Sequence, residues 1–223
     1  MAEPRKESVD LSTNTLASGP SLEQVAAEIA DAGRAFYSRG WVLGTSGNFS
    51  AVLQTDPLRL AISSSGVHKG DMGPRDVVVV DETGRVVEGE GRPSAETLLH
   101  LAVVRACAAG AVCHTHSIWS TLLSDSCETG GCVVVEGFEM LKGLEGVSTH
   151  EHSARLPVIE NSQDMAAFTR SVEETLAQDP AIHGFLLRRH GLYTWGKSML
   201  EARRHVEILE FLLEVIGRRG RTA

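Results

Sequence analysis

The chain has 223 residues, a formal net charge of −8, 42% hydrophobic and 22% charged residues. That is the make-up of one globular domain with a sizeable core, and the negative balance argues against a nucleic-acid partner. No run is apolar for long enough to span a membrane, and the four cysteines, Cys107, Cys113, Cys127 and Cys132, form no Cys-x-x-Cys pair, so a soluble, reduced, cytoplasmic protein is expected. Arg218, Arg219 and Arg221 form one basic cluster, read as a solvated helix end.

Residues 1–20 are polar and turn-rich, without the apolar stretch of a signal peptide, and are expected to be a flexible tail ahead of a single domain over 21–223. Ser21 and Gln24 then make a capping box, and Leu22, Val25, Ala26, Ile29, Gly33 and Phe36 keep helical spacing as far as Gly40. The loop GTSGNFS (44–50) precedes a strand over 49–53, and a second loop, SSSGVHKG (63–70), follows a strand over 58–62. Glycines allow close backbone approach, and free N–H groups and hydroxyls cradle an anion. Either loop alone is compatible with an ordinary turn; the two together suggest a phosphorylated substrate. Neither matches a phosphate-binding P-loop or a dinucleotide fingerprint.

Val77–Val80 and residues 85–87 flank a DETG turn, the chemistry of a hairpin. A helix follows, with Ser94 as its N-cap and Glu96 in its first turn. Glu96 either complements the helix dipole or serves as an acid/base or extra metal ligand. In the segment AVCHTHS (111–117), strand geometry puts His114 and His116 on one face, a ready pair of metal ligands that also fits a plain strand end. A helix over 118–123 and a strand over 132–135 lead to Glu139, beside a strand end in apolar surroundings, where desolvation is expected to raise its pKa. His150 and His152 form a second His-x-His, but their polar neighbours indicate an exposed loop. Beyond a strand over 156–159 and a helix over 164–177, two strands (182–187 and 192–195) enclose His190 at a tight turn, where it can present a third ligand. A helix over 199–218 closes the chain.

The motifs GTSGNFS, ISSSGVHKG, PSAETLLH, HTHS and RRHG, in that order, resemble the class II aldolase/adducin family over about residues 21–217. The resemblance implies a three-layer α/β/α sandwich with a mixed, mostly antiparallel sheet, and a homotetramer with sites near subunit interfaces. It implies one Zn²⁺ per subunit on His114, His116 and His190. Phosphate contacts fall on Ser46, Gly47, Asn48, Ser65, Gly66 and Ser94, with Lys69 a looser match. Glu96 takes the place of an acidic residue used for acid/base work or metal binding. The stretches GFEMLKGL, LPVIENSQD and RRHGLYTWG resemble the branch that dehydrates 5-methylthioribulose 1-phosphate in methionine salvage, with its acid/base glutamate at Glu139. A phosphosugar aldolase is the alternative, weakened because Tyr37 and Tyr193 are the only tyrosines and none follows His205. A non-catalytic, adducin-like interaction protein is a second alternative, opposed by the three histidines.

Overall fold

Nine strands join into one sheet in the order β4-β3-β2-β1-β5-β9-β8-β7-β6 in the computed structural model, which describes residues 20–128 and 130–220. All but the last residue of the expected tail, and Arg221 of the basic cluster, lie outside the described residues. The strands are β1 (Asn48–Thr55), β2 (Leu58–Ser63), β3 (Val77–Val80), β4 (Val86–Glu88), β5 (Ala111–Thr115), β6 (Cys132–Glu136), β7 (Ser153–Ile159), β8 (Gly184–Leu187) and β9 (Gly191–Gly196). Every neighbouring pair is antiparallel except β7 and β8. The helices are α1 (Leu22–Ser38), α2 (Thr97–Cys107), α3 (Ile118–Ser126), α4 (Met165–Gln178) and α5 (Met199–Arg219). None of them is long and apolar enough to cross a membrane.

The two-residue period of a strand explains the layering. Along β2, Leu60 and Ile62 pack with Leu99 and Val103 of α2 and Phe168 and Val172 of α4, whereas Ala61 packs with Ile29 and Phe36 of α1. Along β5, Val112 joins the α2/α4 side, while Ala111 and Cys113 face α1 and α5. Helices therefore cover both faces of a mixed, mostly antiparallel sheet, giving three α/β/α layers. With both faces covered, the central strands read as unbroken apolar runs such as Val77–Val80 rather than alternating ones.

Local signals account for the element ends. The Ser21–Gln24 capping box opens α1, and Gly40, at φ 73°, turns the chain away after it. Asp164 caps α4 by accepting from the N–H groups of Ala166 and Ala167. The expectation for α2 needs correction: the helix begins at Thr97, and Ser94 is not its N-cap. A bridge between Pro93 and Ser64 holds this segment extended. The Ser94 hydroxyl instead accepts from the Glu96 N–H and the Asn48 amide.

The β5–β9 pairing leaves no room for a side chain at Gly191. A Cβ there would overlap the Thr115 carbonyl oxygen and press on the His114 ring. Gly191→Ala should cost about 1–3 kcal/mol in urea unfolding; an unchanged midpoint would show that the two strands have slack here.

Candidate metal centre

The parity of β5 sends His114 and His116 to the sheet face opposite Thr115. His114 is fully buried, and its Nδ1 donates to the Leu192 carbonyl of β9 at 3.0 Å. That hydrogen bond fixes the tautomer and leaves Nε2 with a free lone pair. From that atom, His116 Nε2 lies 2.7 Å away and His190 Nε2 3.4 Å away, and one nitrogen from each ring falls within 4.8 Å of the others. His190 is brought in by the turn between β8 and β9, which α3 clamps. Thr121 Oγ1 donates to the His190 carbonyl at 3.1 Å, the Arg189 N–H donates to Ser124 Oγ at 3.0 Å, and Arg188 Nη1 donates to the Cys127 carbonyl at 2.8 Å. Burial and mutual repulsion push the His116 pKa down to about 3 and hold His114 well below the usual imidazole range. Three imidazole nitrogens converging in this way are a fit for a divalent ion of borderline softness such as Zn²⁺.

Glu96 stands beside this cluster. Its Oε2 is 3.4 Å from His114 Nε2 and its Oε1 3.7 Å from His190 Nε2. A buried relay orients it. Ser50 Oγ and His100 Nδ1 are 2.7 Å apart, and His100 Nε2 meets Asn48 Oδ1. Asn48 Nδ2 is thereby aimed at Glu96 Oε2, at 2.9 Å, and at Ser94 Oγ, at 3.0 Å. Burial drives the His100 pKa down to about 4, so this imidazole stays neutral.

A cavity of about 160 Å³ opens next to His116 and Glu96, lined by Ser46, Gly47, Asn48, Ser65, Gly66 and Ser94 together with Lys69. Both loops read as anion cradles thus meet at one place. Lys69 joins them: its buried Nζ donates to the Thr45 carbonyl at 3.3 Å and the Val67 carbonyl at 3.0 Å. Burial lowers its pKa to about 8, with Asp76 opposing.

Residues 27–216 match the model of the class II aldolase and adducin N-terminal domain. The chain belongs to the class II aldolase and adducin family. Two relatives named methylthioribulose-1-phosphate dehydratase are similar over nearly their whole length. The one from Methylococcus capsulatus is 46% identical over 195 residues, covering 87% of this chain and 93% of its own. The one from Marinobacter nauticus is 44% identical over 190 residues, covering 85% and 90%. Among solved structures, YgbL from Klebsiella pneumoniae superposes with a TM-score of 0.75 at 27% identity, covering 91% of this chain and 92% of its own. The L-fuculose-1-phosphate aldolase of Thermus thermophilus shares the fold with a TM-score of 0.72 at 24% identity, covering 91% and 100%.

The class II aldolase fold does not bring every expected site residue together within one chain. Glu139 sits in a short 3-10 turn (Glu139–Gly143) after β6, with its side chain 73% exposed and ion-paired to Lys142 at 2.7 Å. The apolar setting and raised pKa expected from sequence are corrected: Lys142 holds this carboxyl below its usual range. The reason is local. The turn buries Leu141 and leaves Glu139 facing outward. Since β6 is four strands from β5, it is displaced from the histidine strand by about 19 Å. His150 is 3.9 Å from Glu139 in the exposed loop, and neither His150 nor His152 joins the ligand cluster. Tyr193 is fully buried, stacked on His114 at 4.1 Å and on Phe185 at 5.0 Å between ring centroids, which fits a packing role.

Two buried polar residues were not singled out from the sequence. His100 and Glu210 both interrupt apolar helix faces, the signal that would have found them. Glu210 of α5 lies under the ligand pair: Thr115 Oγ1, between the two histidines, donates to its Oε1 at 2.5 Å. Burial pushes the Glu210 pKa from 4.5 up to about 7. Between those values the folded chain keeps a proton that the unfolded chain releases, so wild-type stability falls as pH rises through that window. Glu210→Gln removes the penalty. Its thermal stability should match wild type near pH 4.5 and exceed it at pH 8, by a margin approaching about 3 kcal/mol; a margin independent of pH would contradict this assignment.

Proposed function

We propose that this chain dehydrates 5-methylthioribulose 1-phosphate to 2,3-diketo-5-methylthiopentyl 1-phosphate, as a zinc-dependent, cytoplasmic homotetramer of methionine salvage. The observation that carries the reading is the convergence of three imidazole nitrogens, two of them within 3.7 Å of Glu96, at the rim of a serine-, glycine- and lysine-lined cavity. It supports the dehydratase reading in a chain that is 42–46% identical to relatives bearing that name.

His114, His116 and His190 would hold a divalent ion, which when bound would supply Lewis-acid chemistry at the substrate carbonyl. The cavity formed by Ser46, Gly47, Asn48, Ser65, Gly66, Ser94 and Lys69 takes the phosphate, as hydroxyls, backbone N–H groups and a buried ammonium suit an anion. Anchoring C1 through its phosphate places C2 and C3 against the histidine cluster and Glu96. A carboxylate then takes the C3 proton, leaving a C2–C3 enediolate; as C2=O re-forms, the electron pair moves to C3=C4 and the C4 hydroxyl leaves as water with that proton. Ketonisation of the resulting enol yields the diketone. Glu139 is the proton carrier in this reading, and Glu96, oriented by Asn48, is the second carboxylate beside the reacting carbons. Because Glu139 is exposed, anionic and four strands from the histidines of its own chain, it serves the site of a neighbouring copy in the tetramer.

The buried Tyr193 stack disfavours the aldolase alternative, which needs an accessible tyrosine as proton donor. The histidine cluster disfavours a purely adducin-like binding role.

Three measurements test the reading. Glu139→Gln should keep its zinc and lose turnover by roughly 10²–10⁴-fold; full activity would remove Glu139 from the chemistry. His190→Ala should lose both zinc and activity, and retained zinc would move the metal elsewhere. Mixing the two inactive variants under conditions of subunit exchange should restore activity, because some sites combine a native triad with a native Glu139. No recovery in verified mixed tetramers would place Glu139 in the site of its own chain or outside the chemistry.

A further inference from the structure

Glu96, Ser65 and Ser94 border both the phosphate cradle and a second cavity, of about 270 Å³. Its chemistry is different. It runs past His190 to Met165 and Phe168 at the start of α4, with the uncharged stretch Asn161-Ser162-Gln163 on its wall. Neither lysine nor arginine lines it. The N-terminus of α4 offers little to an anion, because the Asp164 carboxylate already accepts from the N–H groups of Ala166 and Ala167. Phe168 is 3% exposed, and Met165 packs against the same apolar cluster. The two cavities thus share Ser65, Ser94 and Glu96, the first adding Lys69 and the two serine- and glycine-rich loops and the second adding the Met165 thioether and the Phe168 ring. Glu96 borders both, with His116 on the first and His190 on the second.

We propose that this second cavity is the subsite for an apolar, thioether-bearing end of the substrate, with Met165 as the residue that selects it. The proposal rests on the phosphoketose dehydratase reading and deepens it. With the phosphate in the cradle and C2–C4 beside Glu96, which borders both cavities, the C5 end of the ketose is placed toward Met165 and Phe168. A flexible, polarisable methionine adapts to a methylthio group, and sulfur packs favourably near an aromatic edge.

The test compares kcat/KM for 5-methylthioribulose 1-phosphate and 5-deoxyribulose 1-phosphate, which differ only in the methylthio group. Wild-type protein should prefer the thioether by roughly 10–200-fold, the span available from a small apolar contact. Met165→Gln, close in size but polar, should reduce that preference by about tenfold or more with zinc content unchanged, whereas Met165→Leu should preserve it. A wild-type protein that dehydrates both ketoses equally well, or a Met165→Gln variant with the wild-type ratio, overturns the subsite and leaves the dehydratase reading standing. A zinc-loaded wild-type protein that dehydrates neither overturns both.

Discussion

The site depends on side-chain alternation at the end of one buried strand. In β5, Ala111, Cys113 and Thr115 face α1 and α5, whereas Val112 and His114 face the other layer. The chain continues in the same sense to His116. A slip of one residue in the pairing of β5 with β9 would bury Thr115 where the histidines stand and drive the imidazoles into α5. The hydrogen bond from His114 Nδ1 to the Leu192 carbonyl locks both register and tautomer. The absence of a side chain at Gly191 lets the strands approach closely enough to make it. His190 is then delivered by the turn directly before β9, so a single strand pairing assembles all three imidazoles.

Electrostatics at this centre follow from burial rather than from charge pairing. Desolvation keeps His114, His116 and His100 neutral and lowers the Lys69 pKa. The imidazoles and the buried ammonium thus suit the cation and the phosphate proposed for this centre. The Asn48 amide is fixed by His100, so the carboxylate is oriented from the α2 side before any substrate arrives. Beneath the opposite face of the sheet, Glu210 holds Thr115. The ligand strand is thus braced by polar contacts on both faces.

Much of this was legible in the chain itself. The capping box at Ser21, the Val77–Val80 hairpin, the His114/His116 pair and the turn bearing His190 are all local signals, and each appears where the residue pattern puts it. The strand order was not legible, because pairings such as β5 with β9 join segments about 80 residues apart in the chain, and nothing in either sequence names its partner. Ser94 misled as an N-cap because the bridge of Pro93 to Ser64 outweighed its local preference. Glu139 misled differently. Its neighbours Met140 and Leu141 suggested an apolar setting, but the tight turn buries only Leu141. His100 and Glu210 belong to apolar helix faces, and their polar partners Asn48 and Thr115 come from distant strands.

The central claim is that this centre removes water from a phosphoketose instead of cleaving its carbon chain. The direct measurement is the mass of the product formed by zinc-loaded protein from 5-methylthioribulose 1-phosphate. A product lighter by one water, with all carbons retained, is what the account predicts. Dihydroxyacetone phosphate and a methylthio aldehyde would contradict it and make the same histidine cluster the centre of an aldolase.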